Sequence, residues 1–388
     1  MQDLKKNVIL TFASFTLAII LTILVDRAVG WFLPHISLIF PPNTIVTYKT
    51  TEFEFTAHTN NLGLRGIDID LSDSQNKFRI MTIGDSFTYG WGVNEEFIWS
   101  TIIAESLNGK GCPAEVINLG WPGKGPTEYA DIAEKAIPIT KPDLVIVSIL
   151  QGDDLQQVKP SLISRQNMRR IFRIVYPNLS ILVLHSQQLT SQNLQTTWQH
   201  DAKNVVNKMN QAELNRLRIL DSEIQKLFLD GLLNPQLVFL GIHNPNYFLD
   251  MIDITNPQTQ TKVRNLAFEL GRIKQVSLDN NAEVIVIAIP YGIYVNERYL
   301  ESSKRLGFNV KSNMLLSTAP DEAIESAAKK MGIQFISVLH DFRQNSRHLF
   351  YDLDAHFTIA GNELLAEKLL PIVENSIISS KTYKCTPN

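Results

Sequence analysis

Four short motifs contain the residues best suited to chemistry, and each follows a predicted β-strand. They are Gly84-Asp85-Ser86, the loop 118–125 with Gly123, Gly152-Asp153-Asp154, and the segment 351–361 with Asp354 and His356. A serine between a buried strand and a helix can act as a nucleophile, because the helix N-terminus offers N–H groups to developing negative charge. A histidine near a carboxylate can accept the serine proton. The motifs therefore predict nucleophilic catalysis by Ser86 with His356 as base.

Other functions for the same residues are less well supported by their spacing. Ser86 could simply cap a helix. The glycine-rich loop could bind phosphate, but Lys124 is followed by Gly125-Pro126, which departs from the P-loop pattern. A metal site could draw on His340, Asp341, His348, Asp352, Asp354 and His356, although no known metal-binding spacing occurs among them. We expect no metal and no cofactor.

The elements that must position these motifs alternate between strand and helix. Apolar runs predict strands at 79–84, 115–120, 144–150, 284–290 and 333–339, and amphipathic patterns predict helices at 97–108, 126–138, 260–278, 320–331 and 361–374. Continuous apolar strands separated by helices are typical of a parallel sheet covered on both faces. The sequence therefore predicts an α/β domain of about five parallel strands.

Composition agrees with such a domain and excludes other classes. Hydrophobic residues make up 44% of the 388 residues and charged residues 19%, so the chain can bury a large core. The net charge of −3 gives no basic field for nucleic acid, and two cysteines are too few for a four-thiolate zinc site. We predict an anchor at 1–33, a stalk and β-rich segment at 34–77, and a domain at 78–388 with an insertion at about 155–245.

The N-terminus contains a stretch long enough to span a membrane. Residues 7–25 carry no charge, and as a helix they extend about 28 Å, close to the thickness of the hydrocarbon layer. Lys5 and Lys6 before the stretch favour a cytoplasmic N-terminus and an exported domain. A cleaved signal peptide is the alternative, but the apolar run is longer than usual and no A-x-A site follows it. The pattern favours an uncleaved, single-pass anchor.

The ordered set of four motifs resembles the SGNH (GDSL) hydrolase family over roughly residues 53–371. The resemblance implies a flavodoxin-like fold with strand order 2-1-3-4-5, in which ligands bind at the carboxyl ends of the strands. It also implies Ser86 as nucleophile, His356 as base, Asp354 as the acid that orients it, and an oxyanion hole from Ser86, Gly123 and Asp153. Asp352 is the second choice for the acid, because the family commonly has Asp-x-x-His and position 353 is leucine here.

The motif Gly152-Asp153-Asp154 departs from the family pattern where an asparagine is usual. An asparagine amide donates to the oxyanion, whereas the carboxylate of Asp153 would repel it unless it is protonated. The resemblance implies an esterase or O-acyltransferase acting on an acylated cell-envelope glycan. The alternative is a degenerate domain that binds glycan or assists an integral-membrane acyltransferase without chemistry of its own.

The topology also predicts that the two cysteines form a disulfide. Cys112 follows the first helix of the sheet domain, and Cys385 follows the last helix by about ten residues. Both helices are expected to run antiparallel to the strands, so both end at the edge opposite the motifs. An exported domain would be oxidised, and we therefore predict a Cys112–Cys385 bond.

Overall fold

The computed structural model describes residues 2–32, 37–73, 77–158, 175–176, 194–380 and 385. Its strands are β1 (Ile45–Lys49), β2 (Glu54–His58), β3 (Phe78–Gly84), β4 (Ala114–Gly120), β5 (Leu144–Leu150), β6 (Glu283–Ile289) and β7 (Gln334–Ser337). The helices before the central insertion are α1 (Gln2–Phe32), α2 (Ser86–Tyr89), α3 (Trp99–Gly109), α4 (Pro126–Thr140) and α5 (Asp153–Gln157). Those that follow are α6 (Leu194–Lys208), α7 (Gln211–Ile219), α8 (Ser222–Leu229), α9 (Pro235–His243), α10 (Pro257–Asp279), α11 (Glu297–Arg305), α12 (Ala319–Lys330), α13 (Leu339–Gln344) and α14 (Ile359–Ser380).

Strands β3 to β7 form one parallel sheet in the order β4-β3-β5-β6-β7. Counted within the sheet, this is the order 2-1-3-4-5, so the predicted fold class and strand order are confirmed. Every residue of β3 and β5 is buried, as expected for strands that carry helices on both faces. One face packs against α3 and α14, and the other packs against α4, α10 and α12.

The carboxyl ends of β3, β4 and β5 meet at one edge of the sheet, where three of the four motifs lie. Gly84 and Gly120 are register partners at the ends of β3 and β4. Because β3 and β5 are neighbours, the turns after them also lie side by side. The chain thus brings the motifs to one cleft at the point where the strand order reverses.

Two segments outside the regular crossovers pack onto this domain. Strands β1 and β2 form an antiparallel hairpin, and Arg65, which follows it, donates hydrogen bonds to Gly90 O (2.8 Å) and Val93 O (2.6 Å). Helices α6 to α9 lie in the predicted insertion and bury Ala202, Phe228 and Ile242 in the core on the α3 face. Residues 159–174 and 177–193 of that predicted insertion lie outside the described residues.

Helix α1 has the length and composition of a membrane span over Leu10–Val29. Only 6% of the residues in its most apolar stretch are buried against the rest of the protein. The apolar stretch predicted at 7–25 therefore falls within a helix that is long and apolar enough to cross a bilayer.

The two cysteines form a disulfide between Cys112 and Cys385, with Cα atoms 4.2 Å apart. Cys112 lies in the loop after α3, and Cys385 follows the end of α14. The predicted pairing is confirmed, and the bond ties the C-terminal tail to the edge opposite the cleft.

Candidate active site

Ser86 begins helix α2 directly after β3, so its hydroxyl lies at the edge of the sheet. Asp85 caps this helix by accepting a hydrogen bond from Phe87 N at 2.9 Å. Gly84 precedes this helix, and its backbone is not left-handed. A Cβ there would instead lie 2.2 Å from Thr88 Oγ1, so glycine is required by the close packing of α2 on β3.

His356 connects Ser86 to Asp354 through two short hydrogen bonds. Its Nε2 lies 2.6 Å from Ser86 Oγ, and its Nδ1 lies 2.5 Å from Asp354 Oδ1. The side chain of Asp354 is only 4% exposed and that of His356 15%. Burial lowers the pKa of His356, but the charge and hydrogen bond of Asp354, with the charge of Asp85, raise it above the usual value overall. The three residues have the geometry of a nucleophile, a base and an orienting acid.

Asp352, the second choice for the acid, binds an arginine and not His356. Its two carboxylate oxygens each accept a hydrogen bond of 2.7 Å from Arg298. The Arg298 hydrogen bond lowers the pKa of Asp352. The structure thus brings Asp354, and not Asp352, to His356.

Ser86 and Gly123 were predicted to supply backbone N–H groups to an oxyanion hole. Within the described residues, neither Ser86 N nor Gly123 N donates to a protein acceptor. Gly123 has φ +71°, a conformation that favours glycine, and the space where a Cβ would lie is open. The predicted role of these two N–H groups is therefore compatible with the structure and is taken up in the proposed mechanism.

Asp153, at the position of the usual oxyanion-hole asparagine, uses both carboxylate oxygens for other partners. One accepts from Tyr247 Oη at 2.7 Å, and the other accepts from Gln157 Nε2 at 2.7 Å. Burial raises the pKa of Asp153, while these two hydrogen bonds and the charge of His356 oppose the rise. In this arrangement Asp153 accepts hydrogen bonds and supplies no N–H donor.

Two further carboxyl groups lie close to the carboxyl group of Asp153. Carboxylate oxygens of Asp85, Asp153 and Asp154 lie within 4.8 Å of one another. Burial and the charge of Asp153 raise the pKa of Asp85 to about 7. Burial and the charges of Asp85 and Asp153 raise the pKa of Asp154 well above its usual value, although Asp154 accepts from Leu150 N and Tyr129 Oη. These carboxyl groups therefore hold protons at higher pH than free carboxyl groups do.

The metal alternative drew on a different set of residues, and the structure separates several of them. Asp341 pairs with Lys368 at 3.0 Å and Asp352 pairs with Arg298. Among the described residues, the one group of carboxylates, histidines or cysteines close enough for a cation is the cluster of Asp85, Asp153 and Asp154. Each of these three already accepts a hydrogen bond from a protein donor.

Sequence reasoning did not find Tyr247, Gln157 or Glu52. Gln157 is four residues from Asp153, one turn along α5, which could have suggested the contact. Tyr247 lies two residues past the predicted insertion at about 155–245, and no sequence spacing connects it to Asp153. Glu52 accepts hydrogen bonds from three consecutive backbone N–H groups of residues 352–354, although 300 residues separate it from them.

Comparisons with known proteins give distant structural likenesses. Neither the protein-family models nor the curated proteins searched contain a match to this chain. A lipase/acylhydrolase from Enterococcus faecalis aligns at 14% identity and TM-score 0.38, covering 80% of this chain and 99% of that one. An acetyl xylan esterase aligns at 14% identity and TM-score 0.37 (76% and 99% covered). A member of the lipolytic G-D-S-L family from Veillonella parvula aligns at 12% identity and TM-score 0.34 (76% and 98% covered).

The strand order of this chain and the contacts among its motifs identify its fold. The sheet has the strand order that the motif resemblance implied. The first and last motifs meet through the contacts of Ser86, His356 and Asp354. This chain therefore has the fold of an SGNH (GDSL) hydrolase.

Proposed function

We propose that this protein is a serine esterase or O-acyltransferase that works through an acyl-Ser86 intermediate. The observation that carries the proposal is the continuous pair of hydrogen bonds from Ser86 Oγ to His356 and from His356 to Asp354, at 2.6 and 2.5 Å. A nucleophile and a base in hydrogen-bond contact, with the base held by a third group, are the requirement for covalent acyl transfer.

In the first half-reaction, Ser86 Oγ attacks the acyl carbonyl carbon while His356 Nε2 takes the hydroxyl proton. Asp354 holds the Nδ1–H tautomer and stabilises the imidazolium. The N–H groups of Ser86 and Gly123 donate to the oxyanion. The intermediate then collapses, and His356 returns its proton to the departing alcohol, leaving an ester on Ser86.

In the second half-reaction, the acyl group passes from Ser86 to an acceptor hydroxyl. His356 removes the acceptor's proton as the acceptor oxygen attacks the acyl carbon. The ester bond to Ser86 then breaks, and His356 returns that proton to Ser86 Oγ, which restores the free enzyme. Water as acceptor gives hydrolysis, and a sugar hydroxyl gives O-acyl transfer. We propose an acylated cell-envelope glycan as the substrate, because an anchored, exported domain would meet such polymers.

The proposed location follows from two features at the ends of the chain. Helix α1 could hold the domain at a membrane, with Lys5 and Lys6 on the cytoplasmic side. The Cys112–Cys385 disulfide suits an oxidising, extracytoplasmic compartment. Non-reducing peptide mapping of protein from its native compartment should recover the linked peptides. Two alkylatable thiols would contradict export.

A second candidate function is supported by Asp153. Because its carboxylate accepts two hydrogen bonds and donates none, the oxyanion hole lacks its usual third donor. Losing one donor costs about 10²–10³-fold in rate. A domain that only binds glycan, or that assists an integral-membrane acyltransferase, would tolerate this defect.

A serine-reactive fluorophosphonate probe separates the two candidates. We expect the wild-type protein to be labelled and Ser86→Ala to remain unlabelled. Ser106→Ala is a matched control, since the Ser106 hydroxyl donates to Ile102 O within α3. Unlabelled wild-type protein would favour the non-catalytic candidate.

A substrate panel then addresses the acyl acceptor. Acetylated glycans should be consumed, with p-nitrophenyl acetate as a general ester control. A mass gain on an added acceptor glycan would indicate transfer, and free acetate alone would indicate hydrolysis. Turnover of p-nitrophenyl acetate with no acetylated glycan consumed would contradict the proposed substrate class.

A further inference from the structure

The turn that carries Asp354 is bound by a carboxylate from the N-terminal hairpin. Glu52 Oε1 accepts from Asp352 N at 2.8 Å and from Leu353 N at 3.1 Å. Glu52 Oε2 accepts from Leu353 N at 3.1 Å and from Asp354 N at 2.7 Å. One half-buried side chain thus satisfies three consecutive backbone N–H groups and holds the main chain of Asp354 directly.

The turn needs such support because its backbone is strained. Ala355, between Asp354 and His356, has φ +68°, in the left-handed region that residues with a Cβ rarely adopt. Within the turn, Tyr351 N donates to His356 O at 2.8 Å and Ala355 N donates to Tyr351 O at 3.2 Å. A conformation of this kind persists only where the surroundings hold it.

Glu52 is itself held rigidly in the turn between β1 and β2. Thr50 Oγ1 accepts from Glu52 N at 3.1 Å and from Phe53 N at 3.2 Å. The ring of Phe53 then packs against Tyr351 with centroids 4.8 Å apart, next to the segment that Glu52 binds. The hairpin therefore presents the Glu52 carboxylate at a defined position beside the acid of the triad.

We propose that Glu52 is a positioning residue for the triad, which fixes the main chain of Asp354 so that Asp354 meets His356. The proposal rests on the proposed function for its effect on turnover. The contact it protects is the hydrogen bond that His356 Nδ1 donates to Asp354 Oδ1, which sets the tautomer of the base. Loss of Glu52 frees three N–H groups and allows the strained turn to relax, so Asp354 moves away from the imidazole.

The test compares Glu52→Ala and Glu52→Asp with Glu54→Gln as the matched control. Glu54 is on the same hairpin, but it is exposed and binds Lys49 at 2.6 Å. Glu52→Asp keeps the negative charge on a side chain one methylene shorter, which cannot reach all three N–H groups. It thus separates positioning from the effect of charge through space.

Two measurements are made on each variant. The first is kcat/KM for p-nitrophenyl acetate, or the rate of fluorophosphonate labelling. The second is an NMR titration of His356, which requires no turnover. Wild-type protein that neither labels nor turns over would contradict the proposed function, while the titration would still test Glu52.

We expect Glu52→Ala to lose about 10- to 100-fold in kcat/KM, mainly in kcat, because small misplacements of catalytic groups cost rate on this scale. The pKa of His356 should fall as its contact with Asp354 loosens, in Glu52→Asp as well as in Glu52→Ala. Glu54→Gln should match the wild type. If Glu52→Ala fails to fold, Glu52→Asp decides the question. A Glu52→Asp variant with wild-type rate and wild-type His356 pKa would overturn the proposal.

Discussion

The side of the cleft with His356 and the side with Asp153 are organised on different electrostatic principles. On the His356 side, each polar group has a partner of complementary chemistry, from Ser86 through the imidazole to Asp354. On the Asp153 side, carboxylate oxygens of three acidic residues lie within 4.8 Å of one another, beside the oxyanion hole that we propose. The residues of the proposed proton transfer are thus all in contact. In the proposed mechanism, the carboxyl groups on the Asp153 side would oppose the negative charge of the transition state unless they are protonated.

Because the two sides differ in this way, the two requirements of acyl transfer can be tested separately. Variants on the His356 side should remove activity, because they break the pair of hydrogen bonds that connects Ser86 through His356 to Asp354. Variants on the Asp153 side should alter the rate or its pH dependence, and some should increase the rate.

The largest expected effect comes from the nucleophile and the base. Ser86→Ala and His356→Ala should each abolish ester turnover. Ser86→Ala should leave the thermal midpoint nearly unchanged because it removes only a hydroxyl, whereas His356→Ala should lower it, because the ring packs against Phe87 with centroids 4.8 Å apart. His348→Ala is a matched control, since His348 lies near Asp352 and stacks on Tyr299. Turnover by Ser86→Ala at the wild-type rate would place the chemistry elsewhere.

The next effect distinguishes the two candidate acids. Asp354→Asn should lower kcat about 10³- to 10⁴-fold, because an amide no longer enforces the correct imidazole tautomer. Asp352→Asn should have a much smaller effect, because Asp352 binds Arg298 and not His356. Steady-state kinetics on both variants test the assignment, and a greater loss in Asp352→Asn would overturn it.

A gain of activity is expected on the other side of the cleft. Asp153→Asn should raise turnover about 10- to 100-fold at neutral pH, because it removes a negative charge and restores an N–H donor. Asp279→Asn is the charge-matched control, since Asp279 is exposed at the end of α10, at the edge opposite the cleft.

The pH dependence of wild-type activity tests the other possible role of Asp153, as a protonated, neutral hydrogen-bond donor. Burial raises its pKa, so if Asp153 acts as a neutral donor, wild-type activity should rise as pH falls until His356 protonates. A variant Asp153→Asn that is slower than wild type at every pH would contradict both roles.

The smallest effect concerns the charge of Asp85, which helps to raise the pKa of His356. His356 must be neutral to act as base, so activity should be lost as pH falls through its raised pKa. Asp85→Asn keeps a helix-capping side chain and removes that charge, so the acid limb of kcat/KM should move to lower pH. An acid limb that stays in place would show that Asp85 carries no charge when His356 titrates.

The raised pKa of Asp85 also predicts how the stability of the folded protein depends on pH. The folded-state pKa of Asp85, about 7, lies above the usual value for aspartate. Its contribution to stability is therefore present at low pH and is lost as pH rises toward 7. Asp85→Asn should reduce the fall in thermal midpoint over that range.

The fold was predictable because its pattern is local. Continuous apolar runs defined the five sheet strands to within about two residues at most ends, and helices between them required parallel pairing. Helix α14 was predicted only to about residue 374, but it continues through Pro371 to Ser380. Its last turns bury Ser376 and Ile377, and this burial depends on tertiary packing that the residue pattern did not reveal.

The site was predictable only where its residues follow strands. Ser86 and Asp153 each follow a sheet strand directly, and His356 precedes the last helix, so the topology of a parallel sheet brings them together. Glu52 and Tyr247 reach the cleft through tertiary contacts that no spacing encodes. The burial that raises the pKa of Asp85 and Asp154 also depends on packing and is not visible in the residue pattern.

Trapping the acyl group on Ser86 tests the proposed acyl-Ser86 intermediate directly. The protein is mixed with p-nitrophenyl acetate, quenched in acid during turnover, and analysed by mass spectrometry of intact protein and peptides. We predict one added acetyl group on the peptide containing Ser86, which is absent from Ser86→Ala and accumulates when Asp354→Asn slows its removal. Turnover without this adduct in either the wild type or Asp354→Asn, or an identical adduct in Ser86→Ala, would rule out an acyl-Ser86 intermediate.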